Sequence, residues 1–413
     1  MRQRNLMVMI QTIHAEGPLS RAELTARMQL AASTVGDLLS ELESVGFVVV
    51  EEPTRRRTAG RPSPLVRADS GRVRVLAADV GGDHISAGAF GLGGTMLSRA
   101  QAATPRSHDP EDVARVTSEL LERLVADLAP ESELLGIGVG VAGVVGKDET
   151  VRFAPHLGWH DVAFADLLRA RLTAPLLIRV ANDADLGALA EHRRGVAVGV
   201  ANVLYVGCDD FGVGGGLIFN GVPYRGAGGF AGELGHMLID PHGRRCQCGR
   251  DGCWETEIGL ARVAETLELG DSDLSRVRQA LANLDENPPA LDRVGTYLGL
   301  GIASLVNILN VDLVVLGGSL RDLYPVVKRT TDSAFSRAAL PALQELATIV
   351  PSGIGSDAVL VGGCEMVVSS VFEGPVRALA DVDTCSVAGY RTGVGHGGSR
   401  SSEGGPGQGA SSR

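Results

Sequence analysis

With 413 residues, 44% of them hydrophobic and 21% charged, the chain has the composition of an ordinary globular protein with two or three domains. No uninterrupted apolar run reaches membrane-spanning length, which argues against a membrane partner. The net charge of −11 argues against nucleic acid only if taken globally, because residues 1–76 carry 11 Arg against 8 acidic residues (+3) and the remainder holds −14. A small basic head on an acidic body is the asymmetry expected of a DNA-binding module joined to something else.

In the head, Leu6, Met9, Ile10 and Ile13 recur at helical spacing, and Gly17-Pro18 ends that helix. Ser20 and Glu23 form a capping box that opens a second helix. Val35, Leu38, Leu39, Leu42 and Val45 mark the buried stripe of a third, which Gly46 stops. Residues 47–51 and 64–68 read as two strands around a turn at 53–60. Three helices followed by a two-stranded ribbon predict a winged helix-turn-helix over residues 1–70. Its third helix would present Ala32, Ser33, Thr34, Gly36 and Asp37 to a major groove, and its wing Arg55, Arg56, Arg57 and Arg61 to phosphates and a minor groove. The helix has no Arg or Lys between Gln29 and Val45, so affinity should lean on the wing. A winged helix used for protein contacts is the alternative.

The body begins with an apolar strand, Val73–Val80, ending in Asp79-Val80-Gly81-Gly82-Asp83, and His84–Phe90 reads as its hairpin partner. Glycine turns recur at 212–216 and at Gly317-Gly318, each beside a hydrophobic strand. Residues 109–128 and 163–172 read as covering helices, 271–292 as a polar insertion, and 293–309 as a long buried helix. The strand Leu176–Val180 runs into Asn182-Asp183, which either projects into a cleft or forms an Asx turn capping the next helix.

Residues 229–259, GFAGELGHMLIDPHGRRCQCGRDGCWETEIG, carry the strongest signal. His236, Cys246, Cys248 and Cys253 form a one-His, three-Cys set, and turns at Gly243, Gly249 and Gly252 let the loop fold back on itself. This is the ligand set of a closed structural zinc site, with thiolates at about 2.3 Å and imidazole at about 2.0 Å. Nothing at the N-terminus reads as a secretion signal, so disulfides are the poorer reading and a reducing cytoplasm the expected compartment. The remaining Cys208, Cys364 and Cys385 read as buried small apolar residues. Glu233 and Glu255 are acids that zinc does not need, and they suggest recognition of a polyhydroxylated ligand.

AGELGH followed by CxCGxxGCxE resembles the signature of the ROK family, which contains sugar-dependent repressors and sugar kinases; the resemblance spans about residues 6–373. It implies an α/β body at 73–385 with the two-lobed actin-like (sugar kinase or ribonuclease H-like) ATPase fold and its ligand cleft between the lobes. It further implies that Asn182, Asp183, Glu233, His236 and Glu255 line one sugar pocket, with Asp183 the general base in a kinase. The corresponding nucleotide positions are Gly81, Gly82, Gly214, Gly317 and Gly318, which would meet ATP and Mg²⁺. Two departures weigh against that use. ROK kinases place Thr where Asp83 stands, and Gly-Thr-Gly where this chain reads GCDDFGVG, with Asp209 and Asp210. Carboxylates facing a triphosphate repel it unless a metal neutralises them.

The expectation is therefore a cytoplasmic, sugar-responsive transcriptional regulator, a repressor, whose binding to double-stranded operator DNA is modulated by a sugar or sugar phosphate. Helix-turn-helix modules commonly bind as symmetric pairs, which predicts a homodimer or higher homo-oligomer. An ATP-dependent sugar kinase with an attached head is the alternative, and a zinc-stabilised scaffold a third class. Residues 390–413, rich in Gly and Ser without periodicity, read as a disordered tail.

Overall fold

Three helices and a small sheet begin the chain. In the computed structural model, which describes residues 1–51, 64–172, 176–209, 212–269, 274–284, 288–372, 385–388 and 390, these are α1 (Arg2–Glu16), β1 (Leu19–Ser20), α2 (Arg21–Met28), α3 (Ala32–Ser44), β2 (Val48–Glu51) and β3 (Leu65–Ala68). The capping box is present in both directions: Ser20 Oγ accepts from the Glu23 amide at 3.2 Å, and the Glu23 carboxylate accepts from the Ser20 amide at 2.7 Å. α3 buries Val35, Leu38, Leu39 and Leu42, but Val45 lies beyond its last turn and is exposed. The ribbon has a third strand that composition did not signal, since β1 pairs antiparallel with β3 in the order β1-β3-β2.

The first lobe contains β4 (Val73–Val80), β5 (His84–Gly91), β6 (Met96–Ala103), α4 (Pro110–Ala126), β7 (Glu133–Val141), β8 (Val144–Val145), β9 (Val151–Ala154), β10 (Trp159–Val162), α5 (Phe164–Arg169), β11 (Leu177–Asn182) and α6 (Asp183–Arg194). Its main sheet runs β11-β7-β4-β5-β6. The second lobe contains β12 (Val203–Cys208), β13 (Val213–Phe219), β14 (Val222–Pro223), α7 (Glu255–Ile258), α8 (Leu260–Thr266), α9 (Leu274–Ala282), α10 (Asp292–Leu309), β15 (Leu313–Gly318), α11 (Ser319–Ala338), α12 (Pro341–Gln344) and β16 (Thr348–Pro351), with its sheet in the order β14-β13-β12-β15-β16. The chain then returns to the first lobe through α13 (Ala358–Phe372) and β17 (Cys385–Ser386), which pairs with β7.

Both lobes repeat one plan. An antiparallel hairpin (β4-β5, β12-β13) is extended by two parallel strands (β7 and β11, β15 and β16). This is the duplicated pattern expected of the actin-like body. The parallel strands are nearly continuous apolar runs because helices cover them. β6 alternates half-buried and exposed residues along its whole length, as an edge strand does. Residues 214–216 are part of β13 rather than a turn; the turn itself precedes Val213.

Head and body share one buried cluster. Leu6, Ile10, Leu38 and Val48 belong to one buried cluster with Phe90, Leu360, Val367 and Phe372, and the Phe47 and Phe372 rings meet edge-on at 5.8 Å. The head is thus packed onto β5 and α13. Residues 355–372 are apolar and long enough to cross a membrane by composition alone, yet they pack against α6, β4 and β7 in the interior. Cys208 and Cys364 are buried as expected, whereas Cys385 is only half-buried. Tyr390, placed in the tail by composition, is buried in the first-lobe core.

Candidate functional site

The carboxyl ends of the parallel strands in both lobes open into one cavity of about 420 Å³. Asn182 and Asp183 reach it from the end of β11 and the first turn of α6, Glu233 and His236 from the loop that follows β14, and Glu255 from the start of α7. All five residues expected in a sugar pocket therefore share one cavity. Crevices at strand ends are where open α/β sheets present ligand-binding groups, because backbone turns there leave side chains uncovered.

Asn182 serves both readings given for it. Its Oδ1 accepts from the Ala184 and Asp185 amides at 2.8 and 3.1 Å, capping α6, and its Nδ2 donates to the Gly143 carbonyl at 2.9 Å. Asp183 stands beside it with a carboxyl raised well above the usual range, by burial first and then by the charges of Asp209 and Asp79. Asp79 is pushed up to about 7 by burial and by Asp209, with Arg99 opposing. Burial raises Glu233 as well, and raises Asp185 to about 6 although Arg225 lies 3.1 Å from it.

Reasoning from sequence treated Asp79 only as part of a turn, and it missed Arg99, Ser319 and Arg321, which also line the cavity. Asp79 is the penultimate residue of β4 and Asp209 follows β12, 130 residues apart in the chain, so only the pairing of equivalent hairpins shows that they converge. The opposite correction applies to Asp83. It is exposed and is not among the residues lining the cavity; the acids that do line it are Asp79, Asp183, Asp209, Glu233, Glu255 and Asp322. Gly81, Gly214 and Gly318 line the cavity, whereas Gly82 and Gly317 do not. Asp210 lies outside the described residues.

Raised carboxyl pKa values have a pH consequence. Between about pH 4, where the unfolded carboxyl loses its proton, and about 7, folded Asp79 keeps its proton, so this group's contribution to stability falls as pH rises through that window. Asp79→Asn is expected to flatten the dependence of the thermal midpoint on pH between 4 and 7. A variant whose midpoint tracks wild type throughout that range would contradict the assignment.

One wall of the cavity carries a metal-competent cluster. The ligand atoms of His236, Cys246, Cys248 and Cys253 all lie within 4.8 Å of one another. Cys246 Sγ is 3.7 Å from His236 Nδ1, and Cys248 Sγ is 3.6 Å from Cys253 Sγ. A tetrahedral ion with bonds of about 2.0–2.3 Å separates its ligands by about 3.5–3.8 Å, so the set fits such an ion. Local geometry explains the convergence. Gly252, at φ +77°, turns the chain where a Cβ would stand 1.7 Å from the Asp240 carbonyl oxygen, and short bridges join Leu238 to Cys253 and Arg245 to Asp251. Two second contacts link the cluster to the cavity. The other imidazole nitrogen, Nε2, lies 3.9 Å from Glu233, and Glu255 accepts from the Cys246 thiol at 2.7 Å. An ion on Nδ1 would leave Nε2 directed at the cavity acid.

At the head, Ser33 and Asp37 are exposed and Thr34 and Gly36 are half-exposed, with open space around Gly36. The expected groove-facing surface of α3 is thus accessible. Arg55, Arg56, Arg57 and Arg61 lie outside the described residues.

Comparison with known proteins matches the model of the ROK family over residues 75–369. The chain is 30% identical over 369 residues to the xylose repressor of Bacillus subtilis, covering 88% of this chain and 94% of that one. Among solved structures it is similar to a ROK family transcriptional regulator, a homolog of the E. coli MLC protein, with 25% identity and a TM-score of 0.73 over 92% of this chain and 98% of that one. It is also similar to a ROK family glucokinase from Streptomyces griseus solved with glucose and AMPPNP, with 26% identity and a TM-score of 0.60. That match covers 98% of the glucokinase but 71% of this chain.

Proposed function

The chain belongs to the ROK family, and from that premise we propose that it is a cytoplasmic, sugar-responsive transcriptional repressor that binds double-stranded operator DNA as a homodimer or higher homo-oligomer. The observation that carries this reading is the extent of the likeness. Regulators match nearly the whole chain, head included, whereas the glucokinase match stops at 71% of it. In this reading Asn182, Asp183, Glu233, His236 and Glu255 hold a sugar or sugar phosphate, with carboxylates and imidazole pairing to neighbouring hydroxyls. His236, Cys246, Cys248 and Cys253 hold a structural Zn²⁺, which fixes the loop that presents Glu233 and Glu255. Xylose is the first sugar to try, because relatives named for it match over most of the chain.

Titrating sugar with and without operator tests the reading directly. Linkage requires each ligand to change the affinity of the other by the same factor, commonly about 5–150-fold. Identical sugar affinities in both titrations would mean that the two regions merely share a chain.

The head is expected to read DNA with Ser33, Thr34 and Gly36 and to gain most of its affinity from Arg55, Arg56, Arg57 and Arg61. Replacing Arg55, Arg56 and Arg57 by Ala should weaken binding to all sequences alike. The slope of log affinity against log salt should drop by about 0.9 for each phosphate that the variant no longer neutralises. A triple variant with wild-type affinity and slope would sink this assignment.

A kinase reading keeps one supporting observation: Asp183, the expected base, does face the cavity. Of the glycines expected to meet MgATP, it would use Gly81, Gly214 and Gly318, which line the cavity. Asp209, a carboxylate in the stretch where ROK kinases read Gly-Thr-Gly, lines the same cavity and weighs against that use.

A further inference from the structure

We propose that α6 and α13 carry the effect of an occupied cavity to the DNA-binding head, through a buried bridge in which Glu365 joins Arg194 to His14. The inference rests on the sugar-responsive reading above and names its route. Both helices start at the cavity, α6 with Asn182, Asp183 and Ala184, and α13 with Ala358 and Val359. Both reach the head. α6 spans 12 residues, about 18 Å at the usual helical rise, and ends at Arg194.

Arg194 Nε donates to Glu365 Oε1 at 2.7 Å, and His14 Nε2 lies 3.1 Å from both Glu365 oxygens. The Gly93 amide donates to His14 Nδ1 at 2.9 Å, so the ring proton sits on Nε2, facing Glu365. His14 and Glu365 are 4% and 3% exposed, which makes this a bridge across the head–body boundary inside the shared core. Burial pushes the Glu365 carboxyl up, but His14 and Arg194 outweigh it and hold the group below the ordinary range. Breaking the His14 link would leave its Nε2 proton without a partner in the core, so the bridge is either made or broken rather than gradually loosened.

The two helices have little freedom to move separately. A Cβ on Gly362 would stand 2.0 Å from the Leu186 carbonyl oxygen, and one on Gly138 of β7 would stand 2.1 Å from that of Gly363. Glu191 of α6 accepts from the Ile354 amide at 3.0 Å, which ties α6 to the cavity-lining turn before α13. A shift at the cavity therefore reaches Arg194 and Glu365 together. A small void of about 30 Å³ lies beside His14 and Glu365.

The test uses the full chain, a duplex selected by that chain from a random library, and D-xylose, D-glucose and D-glucose 6-phosphate as probes. Duplex affinity is measured with and without each saturating sugar, in wild type, His14→Leu and Glu365→Gln. His14→Leu cuts only the boundary link and leaves the Arg194–Glu365 pair within the body; Glu365→Gln guards against a folding defect in the first variant. Wild type is expected to change duplex affinity about 5–150-fold with one of the sugars. In the variants that ratio should fall to about one, while sugar affinity without DNA stays within about twofold of wild type. A wild-type ratio retained in folded variants overturns the route and leaves the sugar-responsive reading standing. Loss of sugar affinity in the variants without DNA makes the bridge merely structural and also overturns the route. A ratio of one in wild type with all three probes defeats the reading itself, and the route with it.

Discussion

Purified protein is expected to carry about one zinc ion per chain, and Cys246→Ala or Cys248→Ala is expected to remove it and to weaken sugar binding at least about tenfold, or about 1.4 kcal/mol. The ion is worth most where the chain has least else to hold it. Apparent binding free energies for structural zinc in small peptides are about 10–16 kcal/mol at pH 7, because the whole fold depends on the metal. Here only part of that reaches stability, since one side of the loop is anchored without it. Trp254 is fully buried, its Nε1 donates to the Tyr297 carbonyl at 2.8 Å, and Gly301 leaves the space its indole fills. Losing the ion should therefore free His236 and Glu233 locally while the body stays folded. Metal analysis, calorimetric sugar titration and a thermal melt of the same samples check this. Cys385→Ser, outside the cluster, serves as the control and should keep its zinc. Full zinc content and unchanged sugar affinity in both Cys→Ala variants would show that the four residues are not the ligands.

The second large effect is an absence of turnover: with MgATP and the sugar that binds, the protein is expected to release ADP well below the usual kinase range of about 1–100 s⁻¹. Phosphoryl transfer depends on positioning and on stabilising charge around the transferred group, so a base in the right place does not suffice. Asp183 is a poor base while burial, Asp209 and Asp79 favour its protonated form. Ionised, the three acids would repel a triphosphate; two unit charges about 5 Å apart at an effective dielectric of about 20 interact by about 3 kcal/mol. Residual activity, if measured, should rise with pH as Asp183 loses its proton. Coupled ADP release in wild type and Asp183→Asn decides the matter. Turnover near 1 s⁻¹ or faster that disappears in Asp183→Asn would replace the repressor reading with the kinase one. Sugar binding without turnover leaves Asp183 as a partner for a sugar hydroxyl.

The sequence by itself determined whatever is set by neighbours in the chain. The capping box joins residues three apart, so Ser20 and Glu23 between them specify where α2 starts. The metal set falls within 18 residues, and its turns are fixed by glycine, so ligand type and spacing sufficed to bring His236, Cys246, Cys248 and Cys253 together. The buried stripe of α3 followed from helical period alone, except at Val45, where the period continued in sequence after the helix had ended. Asn182 and Asp183 stand out because a strand end followed by a helix cap is itself a local pattern.

What only the tertiary structure decided depends on separations that no local period encodes. β6 carries little apolar signal, because it is an edge strand with one half-exposed face. Asp83 belongs to the cavity by its place in a motif, but the turn sends it to solvent, while Asp79, Asp183 and Asp209, drawn from both lobes, meet in the cavity. The head reads as a winged helix-turn-helix over residues 1–70, yet its buried cluster includes Phe90, Leu360 and Phe372, hundreds of residues further on in the last two cases. His14 and Glu365 are 351 residues apart. Each reads singly as an ordinary polar residue on an apolar helix, and only the packing of α1 on α13 makes them a buried pair that must be satisfied together.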